Sequence, residues 1–452
     1  MADVLRRPVD DPVTENAGQS RASPWYTLVV LVIAYVFAFL DRQILSLLVG
    51  PLERDLHITD TQVSVLQGFV FALFLALAGL PLGRLVDTTR RLTVAASGLA
   101  CWSLRTAACG LVSSFGALVL LRIGVGVGEA SLTPAAHSIV ADSFPPKRLG
   151  LALGIYGLGT FVGAGLAFVI GGAIIGRLPA QADVVLPLVG AVRPWQFVFL
   201  IVGLAGLPVA LWLGSLREPR RHDAASGIKP DIAGVFGFFR RHFVAISLLD
   251  LAAAFIGMSA YAATAWVPSF LIRDFGWSAA QAGLNYGLVV MLCGVAGVIA
   301  GGALSDYAVA RGWPVGRILV IGAAALAAAP FAAAAGCASN PVAALALLVP
   351  ATFFSTMAIG IVPAAQQAMM PNRMRGIASA LGVLVVNFVG QGLGPTIVAL
   401  ITDRLFADKI AVGLSLAMSL PTMLIIGAGL VFVCCASYRR ALAAVPDVSD
   451  HP

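Results

Sequence analysis

RIGVGVGEASLTP, residues 122–134, places an arginine and a glutamate inside an apolar segment long enough to cross a membrane. Arg122 and Glu129 are seven residues apart, almost two helical turns, so they share a face about 10 Å apart along the axis at 1.5 Å per residue. Thr133, four residues further, continues that face. Charges within a membrane helix are expensive and by default mark a functional site. The stripe is therefore read as one wall of a water-accessible path.

The surrounding composition fixes the class. Of 452 residues, 59% are hydrophobic and 11% charged, with mean hydropathy +0.93. Soluble domains carry about 25% charged residues, so this is an all-α, polytopic membrane protein. The net charge of +7 is modest and its basic residues sit in short loops between apolar spans, which excludes nucleic acid as a partner. Cys101, Cys109, Cys293, Cys337, Cys434 and Cys435 all fall in apolar stretches without metal-ligand spacing, so no disulfide framework is expected.

About 20 apolar residues span a hydrocarbon core. Twelve such spans are predicted: 25–49, 62–83, 92–113, 115–137, 149–176, 195–215, 244–271, 280–303, 316–336, 341–369, 376–403 and 412–438. The polar stretch 216–243 divides them six and six. The expected organisation is a cytoplasmic tail (1–24), a six-helix bundle (25–215), a cytoplasmic linker (216–243), a second bundle (244–438) and a cytoplasmic tail (439–452). With both termini inside, cytoplasmic segments hold 20 Lys/Arg and outer loops six, while Arg42, Arg105 and Arg122 lie within spans. That bias sets the orientation and predicts a multi-pass protein of the cell's inner (plasma) membrane. The halves also echo each other. GRLVDTTRR (83–91) after span two and GALSDYAVARG (302–312) after span eight both carry Gly-x-Leu-x-Asp at a helix end, the internal repeat of a rocking two-part transporter.

Twelve spans, the six-plus-six division and the repeated loop resemble the major facilitator superfamily. FLDRQ (39–43) and RIGVGVGEAS…IVADSF (122–144) are similar to its Spinster group. The resemblance implies alternating access driven by a proton gradient rather than a bound cofactor. It also implies export of lysolipid- or sphingolipid-type amphiphiles, as an antiporter, by a monomer contacting membrane lipids. It gives Asp87, Arg91 and Asp306 a gating role, locking the halves at the cytoplasmic side. Thr88 and Arg90 depart from the superfamily loop, and Ala164 follows Gly159–Gly163 where antiporters carry proline, which leaves the direction of transport open.

Residue by residue, Asp41 in span one and Arg122 in span four come to similar depth when their opposite directions are counted. A buried carboxylate tends to protonate and a neighbouring arginine opposes this. Asp41, Arg122 and Glu129 are the candidate proton-coupling groups; a permanent ion pair tying spans one and four is the alternative. Arg42 either binds an anionic head group or snorkels to the outer interface. Arg105 is expected in a structural ion pair, and Asp250 at the inner interface. Arg42, Arg122, Glu129, Thr133, Tyr261, Asn387 and Gln391 form the candidate substrate site, charge on the first half facing neutral groups on the second. Gly124, Gly126 and Gly128 are expected to serve close helix packing. No nucleotide, metal or nucleophile motif has a believable context, so no enzyme, cofactor or metal is expected. The predicted function is transport of an amphiphilic, lipid-like or organic-anion molecule. A proton symporter for a small carboxylate is the alternative within transport; a membrane-embedded lipid enzyme or a non-transporting receptor stands outside it.

Overall fold

Long runs of Leu, Val, Ala and Gly have no water to satisfy their backbone groups in a bilayer and must close their hydrogen bonds internally. The computed structural model describes residues 23–178, 183–187, 190–219, 221, 232–370 and 381–444, and there the runs form helices. Outside the described residues lie most of both predicted tails, residues 222–231 of the linker and the predicted start of span eleven.

Eleven helices among the described residues are long and apolar enough to cross a membrane: Pro24–Leu47, Asp60–Thr88, Phe115–Ser143, Lys147–Ile175, Pro194–Gly214, Phe243–Phe275, Ala279–Ala310, Gly316–Gly336, Pro341–Ala368, Leu381–Phe406 and Lys409–Ala443. The predicted third span appears as the helix Arg91–Cys109. It is more polar than the others because it carries Arg91, Arg105 and four Ser/Thr residues. It packs along Pro194–Gly214 and Phe115–Glu129. Two further differences from the sequence reading concern the connections. A two-stranded antiparallel ribbon pairs Val184–Leu186 with Gly190–Val192, and the expected polar linker contains a helix, Ile232–Arg241, that brings Phe238 and Phe239 against the core.

The fourth span is not one uninterrupted helix. Phe115–Glu129 ends immediately after the glutamate, and Leu132–Ser143 resumes beyond a turn in which Ser131 Oγ donates to the Gly128 carbonyl at 2.8 Å. The second and eleventh spans carry wide π turns, Val65–Phe69, Val386–Gln391 and Ile401–Phe406. Such turns cluster at functional sites.

Glycine sets the closest approaches between the sequence halves. A methyl on Gly68 would lie 2.3 Å from the Gln391 carbonyl oxygen, and one on Gly172 2.7 Å from that of Ala279. The glycines of span four serve packing as expected. Gly126 faces Phe71 of span two and Gly128 faces Trp102 of the third helix.

Candidate functional site

Asp41 and Arg122 meet as predicted, with Arg122 Nη1 3.6 Å from Asp41 Oδ1. Thr106 Oγ1 donates to Asp41 Oδ2 at 2.8 Å. Both charged side chains are sealed away, Asp41 3% and Arg122 0% exposed. Among the described residues no guanidinium nitrogen of Arg122 makes a hydrogen bond; its carbon sits 5.5 Å from the Phe71 ring centre.

Arg42 corrects the sequence reading. It does not snorkel to the outer interface: it is buried and its guanidinium donates to Glu129. Glu129, expected as a second proton site or a binding group, with a helix–helix hydrogen bond as the alternative, is engaged in a second ion pair beside the first. The Arg42 guanidinium lies over Phe39 (4.6 Å) and Phe71 (4.7 Å), and Nη1 is 3.5 Å from Gln391 Oε1 of the second half. The Tyr261 hydroxyl donates to Asn387 Oδ1 at 3.4 Å. The wide turn Val386–Gln391 carries both neutral groups, Asn387 and Gln391. Thr133 stands beyond the break in span four, near the Tyr156 hydroxyl, rather than on one continuous face with Glu129.

Phe39, Gln43 and Tyr261 join this charged wall to a cavity of about 920 Å³, counting its open mouth. The cavity is lined by Phe161 and Ala164 of the first half and by Val290, Ala332, Leu348, Ala351, Ile359 and Leu420 of the second. Its polar contributions are mostly neutral hydroxyls, among them Thr160, Ser259, Thr264, Ser355 and Thr356.

The end of the bundle expected to face outward is held shut across the halves. Arg273 donates to both carboxylate oxygens of Asp60, at 2.7 and 2.8 Å. It also lies 3.1 Å from Glu53, which accepts from Lys409 at 2.9 Å. Asp403 accepts from the Thr61 amide and hydroxyl at 2.8 and 2.6 Å. Burial pushes the Glu53 carboxyl up to about 7; neighbouring Asp60 adds to the rise and Arg273 opposes it. None of these residues was singled out from sequence. Their only signal is charge in short loops and helix ends, and the partners are hundreds of positions apart.

The residues expected to gate the other end sit differently. Arg91, 1% exposed, binds Glu218 at 3.0 Å, Asp142 and the Ser138 hydroxyl. Arg221 grips the carbonyls of Val86, Asp87 and Thr89. Asp306 lies 3.5 Å from Arg317 of its own half. None of these contacts crosses between the halves. Asp250 is buried and accepts from Gln366 Nε2 at 2.9 Å.

Comparison with known proteins gives a consistent family. The Major Facilitator Superfamily model matches residues 31–395. An "MFS-type efflux pump" of Mycolicibacterium smegmatis is 28% identical over 437 residues, 96% of this chain and 97% of that protein. A "Probable L-galactonate transporter" of Escherichia coli is 25% identical, covering 63% and 62%. The crystal structure of a bacterial homologue of the human lysosomal transporter Spinster, inward-facing and unoccupied, superposes with TM-score 0.75 at 27% identity, covering 94% of this chain and 98% of that one.

Proposed function

We propose that this chain, which belongs to the major facilitator superfamily and is Spinster-like within it, is a proton-coupled transporter of a single-chain amphiphile. It would work as twelve spans in two six-helix bundles with both termini cytoplasmic, in the inner membrane. The observation that carries this reading is the adjacency of the buried Arg42–Glu129 pair to a cavity with mainly apolar walls. A charged or zwitterionic head group would exchange contacts with Arg42 and Glu129, while an alkyl tail fills the space toward Leu348 and Leu420. Each buried methylene contributes about 0.8 kcal/mol, so an apolar cavity favours a chain over a small polyol acid. Asp41 would take the proton, since protonation releases Arg122 from its partner. With the outer end closed by Asp60 and Arg273, the site would open toward the cytoplasm in this conformation.

The second reading, a symporter of a small carboxylate, has support from the name of the Escherichia coli relative and from the two arginines. One experiment separates the two: purified protein in proteoliposomes, pH gradients of both signs, and a panel of lysolipids and sugar acids. Gradient-driven lysolipid flux supports the first reading. Flux of the sugar acids alone overturns it, and the sign of the productive gradient gives the direction.

A further inference from the structure

We propose that Arg105, lying across Gly124, forms a seat for the phosphate of a membrane phospholipid on the outer flank of the third helix. Arg105 was expected to pair with an acid. Among the described residues it makes no hydrogen bond and no ion pair. It is exposed, and it belongs to a stripe of exposed residues, Thr93, Ser97, Cys101, Leu104 and Arg105, at spacings of four, four, three and one. These spacings keep to one helical face, which the other described residues leave exposed. Leu104 is 54% exposed on that face, and Leu120 of the adjacent span is 67% exposed. The surroundings are those of a lipid-facing surface.

An arginine in that position is unusual, because ionisable side chains in spans nearly always face the protein interior or one another. Span four accommodates it. A methyl on Gly124 would stand 2.3 Å from Arg105 Cδ and 2.5 Å from Nε and Nη1. The glycine leaves room for the stem and guanidinium to lie flat on the backbone of Phe115–Glu129, and any larger residue would displace them. Arg105 is four residues from the helix end at Cys109, about 6 Å along the axis, and an arginine stem is long enough to bring its head toward the nearby interface. The anion available there is the phosphodiester of the leaflet nearest Cys109. Its two free oxygens suit the planar two-pronged guanidinium. The seat lies on the flank of span four away from Arg122, so its occupant is a resident lipid distinct from the transported molecule.

The test uses the whole protein in neutral detergent, with bound lipid counted by native mass spectrometry and thermal unfolding followed alongside. The probes are phosphatidylglycerol, phosphatidylcholine, diacylglycerol and inorganic phosphate. Wild type is expected to retain one phosphate-bearing lipid about tenfold more tightly than Arg105→Gln, with Arg105→Lys between them; diacylglycerol should show no such difference. Equal retention by wild type and Arg105→Gln overturns the proposal. So does equal stabilisation of wild type by diacylglycerol, a readout that does not depend on the variant folding. Displacement of the lipid by millimolar inorganic phosphate would reassign the seat to a free anion. A wild-type dimer that Arg105→Gln converts to monomer would assign Arg105 to a second copy of the chain instead.

Discussion

Asp60 and Arg273, 213 positions apart, close one end of the molecule through two parallel hydrogen bonds between a carboxylate and a guanidinium. Asp60 is fully buried, and Arg273 is 14% exposed at its side chain. This is the two-point geometry in which an ion pair is strongest. Because the partners sit in opposite halves of the sequence, the pair contributes to the conformation closed at this end and not to one in which the two residues separate. Arg273→Gln is expected to cost that conformation about 1.5–3 kcal/mol, a shift of roughly 10- to 150-fold in the closed-to-open ratio. Spin labels at positions 54 and 410, both exposed, would report it as a longer distance population. An unchanged distance distribution would remove the pair from the gate. The charge-swapped double variant, Asp60→Arg with Arg273→Asp, should recover part of the closed population.

Glu53 makes the same gate sensitive to pH. Its carboxyl, ordinarily near 4.5, is held at about 7 in the closed cluster. The closed state therefore binds a proton that a water-exposed Glu53 would release between these values. By linkage, closure is favoured at acidic pH and weakens as pH rises from 4.5 to 7, at most about tenfold per pH unit for one proton. Above pH 7 the effect levels off. The same label pair should show more outer opening at pH 7.5 than at pH 5.5. Glu53→Gln, which mimics the protonated acid, should flatten the response and keep the outer end closed. A pH response that survives in Glu53→Gln would place the sensor elsewhere.

The membrane architecture was legible because hydropathy and loop charge are local quantities, and the helices fall close to the predicted limits. Asp41 and Arg122 were legible as a pair because depth follows from residue counting in helices of known direction. Arg42 and Glu129 were not. Residue 42 follows residue 41 by about 100° around the helix, so a single depth estimate could not say which acid each arginine faces. The break after Glu129 and the π turn carrying Asn387 and Gln391 leave no mark in composition; they arise from packing between helices. The Glu53–Asp60–Arg273 cluster was invisible for a similar reason: these residues acquire their meaning only when the ends of two halves meet.

The Asp41–Arg122 pair distinguishes a coupling switch from a fixed clamp by experiment. Asn at position 41 can keep the hydrogen bond from Thr106 yet cannot exchange a proton or balance Arg122. Asp41→Asn is therefore expected to reduce pH-gradient-driven uptake in proteoliposomes to the rate seen without a gradient. Equilibrium binding of the same substrate, measured calorimetrically, should stay within about threefold. Leaving Arg122 buried without its counter-charge should also lower stability, by about 3–5 kcal/mol if nothing compensates, visible as a lower unfolding temperature. Retained gradient dependence in a folded Asp41→Asn protein would make the pair structural.

The apolar cavity, proposed to take an alkyl tail, makes a prediction with a length dependence that no head-group contact can imitate. Ala351 lines the cavity together with Leu348 and Leu420. A phenylalanine there would occupy volume that the proposed alkyl chain needs, while Arg42 and Glu129 keep their contacts. If a chain of twelve or more carbons fills the cavity, each methylene excluded should cost about 0.8 kcal/mol, so losing two or three methylenes weakens binding by roughly 10- to 60-fold. A six-carbon chain that stops short of Ala351 should bind wild type and Ala351→Phe alike. The measurement is a chain-length series of one lysolipid head group against both proteins. Parallel curves, with the same loss at every length, would mean that the substitution acts on folding or gating. Curves that diverge only beyond a threshold length would tie the cavity to the tail and set aside a small carboxylate, which has no tail to exclude.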